Sequence, residues 1–157
     1  MMRKMSRHML KVCLRACLTG ALALAAAGRF DEANELVDKI REFIAQEGGQ
    51  MSARYAAAVL PSSEAAIAHR KGDYQQVIDC MLAVRRSLWQ MGGSHAQRDI
   101  FERLGIEAAF RCGMAKEAET LLQQRDRERG HQDQYSLSRW SLLEQNGPGS
   151  LASLGAA

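Results

Sequence analysis

The chain has 157 residues, 46% hydrophobic and 25% charged, enough for one domain with a sizeable core. Its 21 basic and 18 acidic residues leave a net charge of +3, too mild and too evenly spread for a dedicated nucleic-acid binder. Proline occurs only at Pro61 and Pro148, aromatic residues make up 6%, and β-branched residues do not cluster, so a sheet protein is not expected.

The N-terminal segment is expected to form a helix from about Ser6 to Ala27. Arg3, Lys4 and Arg7 ahead of the apolar run Leu18 to Ala27, with Ala25-Ala26-Ala27, superficially match a signal peptide. Lys11 and Arg15 interrupt the apolar stretch, and the run leads straight into Gly28-Arg29-Phe30-Asp31-Glu32-Ala33, so the chain is read as cytoplasmic. The run is too short to cross a bilayer, and no transmembrane segment is expected. Arg3, Lys4, Arg7, Lys11 and Arg15 share this helix with Met1, Met2, Met5 and Met9, a candidate surface for self-association or docking. Cys13 and Cys17 lie on one helix face. No Cys-x-x-Cys or spaced histidine pair completes a metal site, and with Cys80 and Cys112 they are expected to pack as small hydrophobes. No metal or cofactor is expected.

Three segments share a pattern: Gly28-Arg29-Phe30-Asp31-Glu32-Ala33, Gly72-Asp73-Tyr74-Gln75-Gln76-Val77 and Gly113-Met114-Ala115-Lys116-Glu117-Ala118. Gly28 to Gly72 is 44 residues and Gly72 to Gly113 is 41, a period that signals stacked helical hairpins. After the glycines, Phe30, Ala33, Val37, Ile40 and Ile44 step by 3, 4, 3 and 4, and Tyr74, Val77, Met81, Val84 and Leu88 repeat those steps. Each stripe faces one side of a helix and needs another helix against it. The third stripe, Ala115, Ala118, Leu122, Arg125 and Arg129, turns polar, as the outer face of a terminal repeat does.

A second helix is expected from about Ser52 to Lys71, kinked or restarted at Pro61, and a third from about Ser94 to Cys112. Asp73 with Gln76 and Ser94 with Gln97 have capping-box spacing. Gly48-Gly49 and Gly92-Gly93 read as helix stops. The fold class is therefore all-α, an α-solenoid of tetratricopeptide-like hairpins with about seven helices. The hairpins fall at about 6–46, 52–89 and 94–129, followed by a capping helix at 136–145. That helix presents Leu137, Trp140 and Leu142 or Leu143 on one face and stops at Asn146-Gly147-Pro148-Gly149. Residues 146–157 are expected to be a disordered tail.

The string Gly92-Gly93-Ser94-His95-Ala96-Gln97-Arg98-Asp99-Ile100-Phe101, with Lys71-Gly72-Asp73-Tyr74 and Leu121-Leu122 before Arg125-Asp126-Arg127, resembles the tetratricopeptide repeat protein 38-like family. The resemblance covers roughly Leu24 to Trp140 and only the C-terminal part of that longer family. It implies a helical solenoid and no defined reaction. Where the family carries an Asp-x-His pair, Cys17 and Thr19 stand here, which removes any site built on that pair.

The candidate site is Ser94, His95, Gln97, Arg98 and Asp99, a polar group at a helix N-terminus where amides and dipole favour an anion. The competing structural reading has Ser94 and Gln97 capping the helix while Arg98 and Asp99 pair with neighbouring hairpins. The histidines His8, His69, His95 and His131 are scattered, and no catalytic residue is assigned. The run Arg125-Asp126-Arg127-Glu128-Arg129 alternates in sign and reads as a solvated helix end. The expected function is a protein-interaction or scaffolding module, with a partner peptide lying on a concave face from about Arg54 to His69 and His95 to Arg111, contacting His69, His95, Gln97, Arg98 and Asp99. The alternative is a small-molecule, anion-binding or enzymatic domain with its polar site near His95, Arg98 and Asp99.

Overall fold

Helix-favouring residues, broken mainly by glycines in left-handed turns, produce a chain of helices. The computed structural model describes Cys17, residues 19–92 and residues 94–150, with side chains as far as Gln145, and among these all regular structure is helical. The helices are α1 (19–26), α2 (Phe30–Glu47), α3 (Gly49–Arg54), α4 (Leu60–Lys71), α5 (Tyr74–Val84), α6 (His95–Arg111), α7 (Ala115–Arg129) and α8 (Gln134–Ser150). A π-helical turn, Tyr55–Val59, joins α3 to α4, and a 3-10 turn, Leu88–Met91, precedes α6. The basic, methionine-rich start of the expected first helix and the end of the expected tail lie outside the described residues.

The turn chemistry explains the breaks. Gly72 takes φ 79° and ψ 9° after α4, a conformation that favours glycine, and Asp73 then caps α5 by accepting from the Gln76 amide at 3.1 Å. Ser94 and Gln97 form a complete capping box on α6. The last helix starts two residues earlier than expected, because Asp133 accepts from the Ser136 amide at 3.0 Å. Its backbone stays helical to Ser150, through the Asn146-Gly147-Pro148-Gly149 segment expected to stop it. There, in the last turn, a missing proline amide forfeits one hydrogen bond without unwinding the turns before it.

The two regular stripes are buried. Ala33, Val37 and Ile40 are covered, as are Val77, Met81, Val84 and Leu88. Val37 packs with Ala25, Ala33 and Ile67, while Met81 belongs to the larger core with Val59, Ala65, Ile106 and Leu122. Each helix from α4 onward packs against the next, and α4 also touches both α2 and α6. The close approach of α5 and α6 depends on Gly105. A β-carbon there would lie 2.8 Å from Met81 Cβ and 3.2 Å from Leu121 Cδ1.

The segment expected to line a partner surface is instead central. Ser62, Ser63, Ala65, Ala66, Ile67 and Ala68 of α4 are all buried, because their small side chains let helices close in around them. Pro61 produces a π-helical turn rather than a break. Proline has no amide to give the Ala57 carbonyl four residues back. The Leu60 amide bonds to the Tyr55 carbonyl, and the Ser87 hydroxyl donates to the Ala57 carbonyl at 2.7 Å. The carbonyl that proline leaves open is thus satisfied from the turn that follows the next helix.

Candidate functional site

Arg125 corrects the reading of the third stripe. It occupies the position matched by Val84 in the second unit, and it is buried like Val84, with 1% of its surface exposed. A buried guanidinium needs carboxylates, and Asp99 on α6 and Asp133 at the start of α8 supply them. Arg125 Nε donates to Asp99 Oδ1 on α6 at 2.7 Å. Its two terminal nitrogens donate to Asp133 at 2.9 and 2.7 Å, a bidentate pair with the residue that caps α8. Arg125 Nη1 also donates to Ser136 Oγ at 2.6 Å, and the Ser136 hydroxyl in turn donates to Asp126 Oδ1 at 2.5 Å. Burial opposes the Arg125 charge, but the bonds to Asp133 and Asp99 outweigh it and hold the pKa above the ordinary arginine value. The bond from Arg125 in turn holds Asp133 well below the usual carboxylate range.

Around this centre the cluster extends through α8. Arg103 and Arg129 both reach Asp99, at 2.8 and 3.1 Å, and Arg129 also reaches Asp133 at 3.2 Å. Tyr135 lies beneath the guanidinium groups of Arg103, Arg125 and Arg139, 4.4, 4.9 and 5.1 Å from its ring centre. Its hydroxyl donates to Glu107 at 2.8 Å, an oxygen that also receives Arg139 Nε at 2.7 Å. Burial and the Glu107 charge push the Tyr135 hydroxyl above its ordinary value. Trp140 fixes the outer edge by donating to Asp126 at 2.8 Å, whereas Leu137, expected on the inner face, points outward and is exposed.

Beside the cluster opens a cleft of about 270 Å³, lined by Trp89, His95, Arg98, Glu102, Glu128 and Arg129. Trp89, on the 3-10 turn, is 63% exposed, and its indole N–H donates to the Arg86 carbonyl at 3.1 Å. His95 and Arg98 stand on the first turn of α6, joined through His95 Nδ1 and Arg98 Nη2 at 3.1 Å. Glu102 lies at the floor, one oxygen 3.9 Å from Arg125 Nε. Burial first, then the nearby charges of Glu128 and Asp99, push the Glu102 carboxyl up to about 7 despite Arg125 and Arg129.

The five sequence-derived candidates separate. His95 and Arg98 line the cleft. Gln97 is committed to the capping box. Asp99 is turned inward and bound to three arginines, as the structural reading of that residue had it. His69 stands apart at the end of α4, edge-on to Tyr74 with ring centres 5.6 Å apart, and burial lowers its pKa. Sequence reasoning missed Trp89, Glu102, Arg125 and Asp133. The signal for Arg125 was its register: an arginine at a position buried in the preceding unit implies carboxylates on the adjoining helices.

Among the described residues no group of His, Cys, Asp and Glu side chains gathers as a metal site would require, and no helix is long and apolar enough to cross a membrane. The geometry defines an all-helical protein with a polar, aromatic-edged cleft next to a buried ion-pair cluster. No known family model matches the chain, and no solved structure matches it.

Proposed function

We propose that the chain is a protein-recognition module of stacked tetratricopeptide-like hairpins, and that it holds a segment of its partner in the Trp89 cleft. The observation that carries this reading is Trp89 itself: a large aromatic ring left mostly exposed at the edge of a recess with charges of both signs. Exposed aromatic and arginine side chains at a recess are the usual anchors of protein recognition. Support for the stacked arrangement comes from the repeated stripes, from α4 touching α2 on one side and α6 on the other, and from the resemblance of Gly92–Phe101 to the tetratricopeptide repeat protein 38-like family. The burial of α4 moves the expected partner surface away from Arg54–His69 and leaves the His95 end of α6 as its accessible part. A cytoplasmic setting accords with the free thiols of Cys80 and Cys112.

Selection of a random peptide display library against the chain and against its Trp89→Ala variant tests the reading. Peptides enriched on the native chain and lost on the variant are the expected result. No enrichment, or equal enrichment on both, would overturn it. The alternative reading, an anion or small-molecule site, is favoured by His95 and Arg98 on the first turn of α6. It predicts that phosphate or a small carboxylate competes for the same cleft.

A further inference from the structure

We infer that the Trp89 cleft receives the guanidinium of a partner's arginine, held by the Glu102 and Glu128 carboxylates and stacked on the Trp89 indole. This rests on the recognition reading above and names the chemistry of what is recognised.

Three observations converge on a cation of that shape. The first is the state of the charges already in the cleft. Its cations are largely engaged: the terminal nitrogens of Arg129 bond Asp99 and Asp133, leaving only its buried Nε without a partner among the described residues, and Arg98 bonds His95. Its carboxylates are not compensated to the same degree. Among the described residues, Glu102 accepts no hydrogen bond, and its nearest cation is Arg125 Nε at 3.9 Å. Glu128 accepts from the neutral amide of Gln124 at 2.5 Å and has no ion pair among the described residues. The elevated pKa of Glu102, about 7, has the same origin: a carboxylate mostly out of water beside other carboxylates.

The second observation is the presentation of Trp89. Its only donor is committed to the Arg86 carbonyl, so what remains for a ligand is the ring face. A ring face attracts cations, and a planar guanidinium most effectively. The third is size. A half-open recess of about 270 Å³ has room for one long side chain. Arginine fits better than lysine, because its planar fork can bridge two carboxylates while its flat face lies on the indole.

The test titrates the full chain with N-acetyl-arginine amide and, separately, with N-acetyl-citrulline amide, which has the same shape but no charge. The Trp89 indole N–H resonance reports occupancy. Saturable shifts with the arginine probe, and binding about tenfold or more weaker with the citrulline probe, are expected for a charge-assisted pair. Glu102→Gln and Glu128→Gln should each weaken the arginine probe by about fivefold or more while the chain stays folded. Equal responses to the two probes would overturn the inference. So would unchanged arginine binding in both glutamine variants, or a stronger response to N-acetyl-aspartate amide. Display peptides that depend on Trp89 but carry no arginine would overturn this inference and leave the recognition reading standing. Loss of Trp89-dependent selection altogether would remove the recognition reading itself.

Discussion

Arg125 is the residue on which three helices depend. Its partners are Asp99 on α6, the α8 cap Asp133, and Ser136. Replacing it with methionine keeps much of the volume but removes the buried cation between Asp99 and Asp133, leaving them only the more exposed Arg103 and Arg129. Breaking a buried pair in this way costs about 3 kcal/mol or more. Urea denaturation of Arg125→Met should show that loss, and a loss under about 1 kcal/mol would place the group in water, as an exposed pair would be. Glu102 makes the opposite contribution. Its pKa is raised to about 7 in the folded chain, so the folded state holds a proton that the unfolded chain releases at lower pH. Its share of stability is therefore fully present below about pH 4.5 and is lost as pH rises through about 7. Glu102→Gln should flatten that decline and raise the denaturation midpoint at pH 8. A midpoint unchanged or lowered at pH 8 would contradict the burial argument. Asp133 runs the other way: its lowered pKa adds stability above the ordinary carboxylate range that is lost as acid protonates it.

At the scale of elements, the joint between Pro61 and Ser87 is open to a double-mutant cycle. Ser87→Ala strands the Ala57 carbonyl and should cost about 1 kcal/mol. Pro61→Ala restores an amide next to that carbonyl, so the serine change should cost less in the alanine background; simple additivity would show that the two are not coupled. Gly105 offers a second test. Alanine is preferred over glycine within a helix by about 1 kcal/mol. At this position a β-carbon 2.8 Å from Met81 should reverse the preference, giving a net loss of about 1 kcal/mol that shrinks when Met81 is also cut to alanine. The elements themselves were legible. Stripes of period 3.6, glycine stops and the Ser94–Gln97 box located α2, α5 and α6 because these signals are local. The π-helical turn was not legible, since its stability comes from a hydroxyl that is 30 residues away in sequence. The buried role of Arg125 was signalled only by its register with Val84, which the alternating charges around it mask.

For the molecule as a whole, α4 is the axis. Its small residues are buried, and the Trp89 cleft lies at the end formed by the 3-10 turn, the start of α6 and the end of α7. Two of the six cleft residues followed from sequence: His95 and Arg98 were identified by their position at a helix start. Trp89, Glu102 and Glu128 came from a different hairpin turn, a later position of the same helix and the next helix, and only packing brings them together. On the proposed reading, this end of the molecule is where a partner is held. The most direct measurement is an amide and indole NMR titration of the full chain with a peptide selected by display. Shifts concentrated at the Trp89 indole, at Ser94–Arg98 and at Glu128–Arg129, with α2 unmoved, are the predicted result. Shifts centred on Phe30–Glu47 or on the exposed face of α8 around Leu137, with the Trp89 indole unmoved, would contradict it.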